Sequence, residues 1–116
     1  MNKIPEINQP APDIDSALKN KIINVTTALF PEADIYIYGS RARGTHKPTS
    51  DIDIALDANV PLDRYAINEL KEVLLALRQP YYVDIVDLNN INEEFKNIIT
   101  PDLVLWKQNV NHENNR

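Results

Sequence analysis

Between Asp51 and Leu56 the sequence alternates with a period of two, so that Ile52, Ile54 and Leu56 fall on one face of an extended chain and Asp51, Asp53 and Ala55 on the other. A helix would scatter these residues, so the stretch is read as a strand with one face in a core. The neighbouring segments then supply the rest of a layered fold. Leu18, Ile22, Val25 and Leu29 recur at helical spacing over residues 13–30, and Pro31 stops that helix. Residues 34–38 form a strand covered on both faces, with Ile35 and Ile37 pointing one way and Tyr36 and Tyr38 the other. Asp63 caps a helix to about Arg78 with a stripe of Ala66, Leu70, Val73, Leu74 and Leu77, closed by Pro80. Residues 81–88 form a third strand, Asn90 and Glu93 resemble a capping pair for a short helix through Ile99, and residues 103–106 form a last strand. The order is helix, strand, strand, helix, strand, helix, strand. It implies an α/β fold of one domain, residues 13–107, with helices packed on a sheet whose strand order the sequence leaves open. Pro5, Pro10 and Pro12 mark residues 1–12 as an extended arm, and residues 108–116 read as a polar, frayed tail.

Composition excludes several classes of protein. With 116 residues, 43% of them apolar and 25% charged, the chain fits one soluble globular domain rather than a disordered one. Its 12 basic against 17 acidic residues give a formal charge of -5, the wrong sign for stable DNA binding. The lack of cysteine removes disulfides, thiolate metal sites and thiol nucleophiles, and two histidines, His46 and His112, do not make a His-rich metal site. No apolar run approaches a membrane span and no targeting segment is evident, so the expected compartment is the cytoplasm.

Chemistry concentrates around the second strand. Asp51 and Asp53 project side by side about 6 to 7 Å apart, where they repel each other unless a cation intervenes. Asp84 adds a third carboxylate inside the apolar run of the third strand, and a buried carboxylate needs a partner. Asp87 lies on the opposite face near the strand end, where a turn or capping role is expected. Oxygen-only ligands favour Mg²⁺ or Mn²⁺. Upstream, Gly39 and Ser40 follow a buried strand, where glycine admits close approach of a ligand and the following amides can face a phosphate. Arg41 and Arg43 add positive charge, Gly44 can end the turn in a left-handed conformation, and Ser50 directly precedes the carboxylates. Singly, these features suit a solvated sheet face, an ordinary turn or a basic patch. Together they suit nucleotidyl transfer, in which metals hold a nucleoside triphosphate, a hydroxyl attacks and pyrophosphate leaves without a protein nucleophile.

Gly39-Ser40, ten residues, Asp51-x-Asp53 and then Asp84 on a later strand resembles the nucleotidyltransferases of the DNA polymerase beta superfamily, and the short length resembles the minimal nucleotidyltransferases, or MNT proteins. The resemblance covers about residues 14–107. It implies a single-domain nucleotidyltransferase fold with a mixed sheet packed by helices. Asp51 and Asp53 would bind two Mg²⁺ ions, Asp84 would be the third metal carboxylate and candidate base, and Gly39 and Ser40 would hold the β and γ phosphates. Arg41, Arg43 and Ser50 complete the expected nucleotide-binding set. Many such proteins neutralise a helical HEPN toxin by moving AMP from ATP to one of its tyrosines, so a HEPN-type partner in a heteromeric complex, or a homodimer, is expected. Inhibition by contact alone and transfer to a small hydroxylated molecule are the alternatives. One departure is Thr100-Pro101-Asp102, which stands where relatives often have a glycine-containing turn. His46 is expected to be a solvated loop residue, while Tyr81, Tyr82 and Trp106 are candidates for an apolar contact surface, with core packing expected for at least two of them.

Overall fold

A computed structural model describes residues 14–77 and 82–109. Residues 1–13, 78–81 and 110–116, and with them the arm, Arg78, Pro80, Tyr81, His112 and most of the tail, lie outside the described residues. The elements are α1 (Ser16–Leu29), β1 (Asp34–Tyr38), α2 (Ser40–Arg43), β2 (Ile52–Asp57), α3 (Arg64–Ala76), β3 (Val83–Asp87), α4 (Glu93–Ile99), a 3-10 turn (Thr100–Asp102) and β4 (Val104–Lys107). They follow the order expected from periodicity, with the short α2 added inside the glycine loop.

The four strands form one mixed sheet in the order β3-β2-β1-β4. β1 pairs antiparallel with β2 and β4, whereas β2 and β3 run parallel because α3 crosses over between them. One face of the sheet buries Ile35, Ile37, Ile52, Ile54, Leu56, Val83 and Ile85 against α1 and α3. Ile22, Leu70 and Leu74 supply the helical side of that core and are fully buried. The other face carries a smaller cluster of Tyr38, Ala55, Leu88 and Ile99, with Tyr36, Val86 and Phe95 packed around it under α4.

Three local expectations change. Asn92, not Asn90, caps α4: its side-chain oxygen accepts from Phe95 N at 2.8 Å, two residues later than the sequence suggested. Asp63 occupies the N-cap position of α3 but its side chain makes no capping bond. Val73 is 37% exposed, because Ala66, Ile67, Leu70, Leu74 and Leu77 take the core-facing stripe and leave it on the flank. The tail also begins in an ordered way. Asn109 is buried and donates from its backbone and side chain to Asp34 Oδ1 at 2.8 and 2.9 Å.

Asp87 closes the end of β3 as expected for a turn residue. Its carboxylate accepts from Leu62 N at 2.7 Å and from Asn89 N at 3.0 Å, tying the segment before α3 to the turn after β3. Replacing it by alanine strands the Leu62 amide in a buried setting, so Asp87→Ala should lose about 2 kcal/mol of unfolding free energy, read from urea denaturation midpoints.

Candidate active site

The strand registers bring the acidic residues together. Tyr38 of β1 lies opposite Asp53 of β2, and Asp53 lies opposite Asp84 of β3, so the three side chains form one row across the sheet at a strand spacing of about 4.8 Å. Asp51 precedes β2 by one residue and is exposed; Asp53 and Asp84 are half-buried. Burial first, then the charges of Asp84 and Asp51, push the Asp53 carboxyl up from 3.8 to about 6, against an opposing pull from Arg43. The same row pushes the Tyr38 phenol well above its ordinary value, through burial and then Asp53 and Asp84. Tyr38 was not anticipated as part of the site. Its face was legible from alternation, but its place beside Asp53 depends on the β1–β2 register.

Gly39 sits directly over this row. Its φ of 80° is a left-handed conformation, and a Cβ there would collide with Asp53 Oδ2. Glycine is thus required twice at one position. The chain then turns into α2, where Arg43 N donates to Gly39 O and Gly44 closes the helix with φ 78°.

Arg41 and Ser50 are placed differently from expectation. Arg41 is only 1% exposed and points into the loop that follows α2, donating to the carbonyls of Ser50, Pro48 and Lys47 at 3.2, 3.2 and 3.4 Å. Ser50 Oγ accepts from Lys47 N at 2.8 Å. Both fasten the loop between the glycine turn and Asp51 instead of reaching outward to a nucleotide, because only a planar, multiply donating group satisfies three carbonyls in so short a loop. Arg43 remains at the surface and pairs with Asp102 at 2.7 Å, which ties α2 to the 3-10 turn and gives the Thr100-Pro101-Asp102 departure a structural role. Asp102 was missed because 59 residues separate it from Arg43.

His46 is half-buried, not fully solvated. Tyr82 is 54% exposed, while Trp106 packs partly against the core with Lys19 5.2 Å above its ring. Of the two described aromatics, then, only Trp106 packs as expected. Among the described residues no three acidic or histidine side chains converge closely enough to grip a metal ion. The chemistry of the donors nevertheless fits one: Asp53 and Asp84 are paired across β2 and β3, Asp51 is near enough for its charge to act on Asp53, and burial and repulsion raise the proton affinity of Asp53, a penalty that a hard divalent cation would relieve.

The sequence matches the Polymerase beta, Nucleotidyltransferase family over residues 20–111. It is 33% identical over 87 residues to a probable protein adenylyltransferase MntA of Haemophilus influenzae, covering 75% of this chain and 76% of that protein. The fold matches the structure of a tri-AMPylated Shewanella oneidensis HEPN toxin in complex with MNT antitoxin, with a TM-score of 0.63, 27% identity, and 86% of this chain and 78% of the other covered. A toxin-antitoxin crystal structure with AMP-PNP aligns equally well, with a TM-score of 0.63, 31% identity, and 82% and 77% coverage. The chain belongs to the polymerase beta nucleotidyltransferase family.

The raised Asp53 carboxyl makes a stability prediction with a definite sign. Because the folded state holds the proton more tightly than the unfolded chain, the stabilisation from protonation is complete below the unfolded value of 3.8 and lost as pH rises through about 6. At neutral pH Asp53→Asn should therefore be more stable than the natural protein by ~1 kcal/mol, a figure already reduced for screening at a half-exposed group. The gain should vanish below pH 4 in urea titrations repeated across pH.

Proposed function

We propose that the protein is a protein adenylyltransferase that moves AMP from ATP to a hydroxyl, most simply a tyrosine, of a HEPN-type toxin, and thereby acts as its antitoxin in the cytoplasm. One observation carries the reading: the row Tyr38–Asp53–Asp84 is packed beneath Gly39, so the glycine turn and the carboxylates address one small volume. Likeness to the MntA adenylyltransferase and to the AMP-PNP and AMPylated-toxin complexes supports the choice of nucleotide and acceptor.

Asp51, Asp53 and Asp84 would hold Mg²⁺, which supplies charge neutralisation of the triphosphate and acidifies the acceptor hydroxyl. Gly39 lets the backbone approach the β and γ phosphates without a side chain between them and Asp53. Arg43, half-exposed and held by Asp102, lies near enough to Asp53 to be felt by it and offers its remaining N–H groups to the same phosphates. Arg41 acts indirectly, by fixing the loop that connects Ser40 to Asp51. Asp84, at the edge of the row, takes the proton of the acceptor hydroxyl. The acceptor oxygen bonds to the α-phosphorus as the bond to the bridging oxygen breaks, leaving an AMP ester and pyrophosphate.

The test is intact-mass analysis of the protein that co-purifies with this chain from its native cells, after incubation with Mg²⁺ and ATP. The natural chain should add the mass of one or more AMP groups to its partner, and the Asp51→Asn/Asp53→Asn double variant none. A partner that binds both forms, never gains mass and is neutralised by both would make this a contact inhibitor.

A further inference from the structure

The Arg43–Asp102 pair joins two segments far apart in the chain, α2 beside the carboxylate row and the 3-10 turn that leads into β4. Arg43 Nη1 donates to Asp102 Oδ2 at 2.7 Å, while the two side chains stay 49% and 23% exposed. So exposed a pair adds little to stability, because water screens the attraction and both side chains must be ordered to make it. What it fixes is the place of a guanidinium. Arg43 stands one helical turn beyond Gly39, to whose carbonyl its backbone N–H donates, and Gly39 itself is pressed against Asp53. The positive charge is near enough to pull the Asp53 carboxyl downward, against burial and the acidic neighbours.

Two acidic centres therefore compete for one arginine. Asp53, half-buried and paired with Tyr38 and Asp84, is where a counter-charge relieves most, and a long side chain within its field is drawn toward the row. Asp102 opposes that by holding the guanidinium through a short bond. The bond uses one of the five N–H groups that a guanidinium carries, so the others can address a further acceptor without the ion pair opening. The carboxylate has a firm base. Pro101 lies within its turn, Leu103 N donates to Thr100 O, and Thr100 Oγ1 donates to Lys96 O, which ties the turn to α4.

Resting on the transferase reading above, we infer that Asp102 is a positioning residue for the donor nucleotide: it keeps Arg43 out of the carboxylate row and presents the remaining N–H groups to the β and γ phosphates, so that the chain prefers a nucleoside triphosphate to a monophosphate. Asp102 touches neither nucleotide nor metal and acts only through Arg43. Ordering an arginine costs a ligand part of its binding energy, and a carboxylate that orders the side chain beforehand removes that cost. A monophosphate has no β or γ phosphate to meet the guanidinium and gains nothing from the arrangement.

The probes are a non-hydrolysable ATP analogue and AMP, each titrated with Mg²⁺ into the full-length protein and followed by calorimetry. Asp102→Ala should weaken binding of the ATP analogue by about fivefold or more and of AMP by less than about twofold, with the urea midpoint unchanged. Asp102→Glu, which restores a carboxylate, should recover most of the loss. In an Arg43→Ala background, Asp102→Ala should change the affinity for the ATP analogue by less than about twofold, as a residue acting only through Arg43 requires. Unaltered affinity in Asp102→Ala, equal losses for the two nucleotides, no preference for the ATP analogue in the natural chain, a full further loss on top of Arg43→Ala, or no recovery by Asp102→Glu would each overturn the inference. The two proposals fail separately. A native partner that gains AMP from a chain in which Asp102→Ala leaves nucleotide affinity untouched removes the positioning role and keeps the transferase, whereas a selective loss of ATP-analogue binding in a chain that transfers AMP to no partner does the reverse.

Discussion

Asp53 is held half out of water, with a phenol on one side, a second carboxylate on the other and a glycine pressed against its oxygen. A carboxylate in that position works against the fold, since burial and two like charges all favour its neutral form. The rest of the architecture can be understood as what makes the arrangement tolerable. Ile52 and Ile54, its neighbours on the opposite face, are completely buried, so β2 cannot turn the carboxylate away without exposing the core. The central position of β2, between β1 and β3, holds Asp53 from both sides, opposite Tyr38 and Asp84.

Around that constraint the loop from Gly39 to Ser50 is made rigid by its own side chains. Arg41 gathers three carbonyls, Ser50 caps the turn through Lys47, and the Arg43–Asp102 pair fastens α2 to the far end of the chain. Under the proposed function, a nucleotide entering such a site would meet backbone and carboxylates already in place, which lowers the ordering cost that would otherwise be taken from binding. The second layer, under α4, fixes Tyr38 through its edge-to-face contact with Phe95 at 6.5 Å. This is a small domain for such a site, and its two cores lie on opposite faces of one sheet.

Much of this was legible in the sequence for one reason: periodicity is local. The alternation at Asp51–Leu56 placed the carboxylates on one face, that at Ile35–Tyr38 separated isoleucines from tyrosines, and parity put Asp87 opposite Asp84, where it indeed closes a turn. What escaped depended on distance in the chain. Strand order, the parallel pairing of β2 with β3, the Tyr38–Asp53 contact and the Arg43–Asp102 bridge all join segments that carry no local mark of each other. The loop contacts of Arg41 escaped for a subtler cause. A basic residue beside a glycine turn has the same sequence appearance whether it faces a phosphate or folds back on its own loop; only the number of carbonyls a short Pro48-containing loop leaves unpaired could have hinted at the second. The capping of α4 slipped from Asn90 to Asn92 because the segment Asn89 to Asn92 holds three asparagines, any of which could serve.

The central claim is that Asp53 is strained by its neighbours and that a divalent cation relieves the strain. The most direct measurement is a pH titration of the Asp53 side-chain carboxyl carbon by NMR, without and with Mg²⁺. The account predicts a midpoint of about 6 in the absence of the cation and a clear downward displacement in its presence. A midpoint in the ordinary carboxylate range, or one indifferent to Mg²⁺, would contradict it.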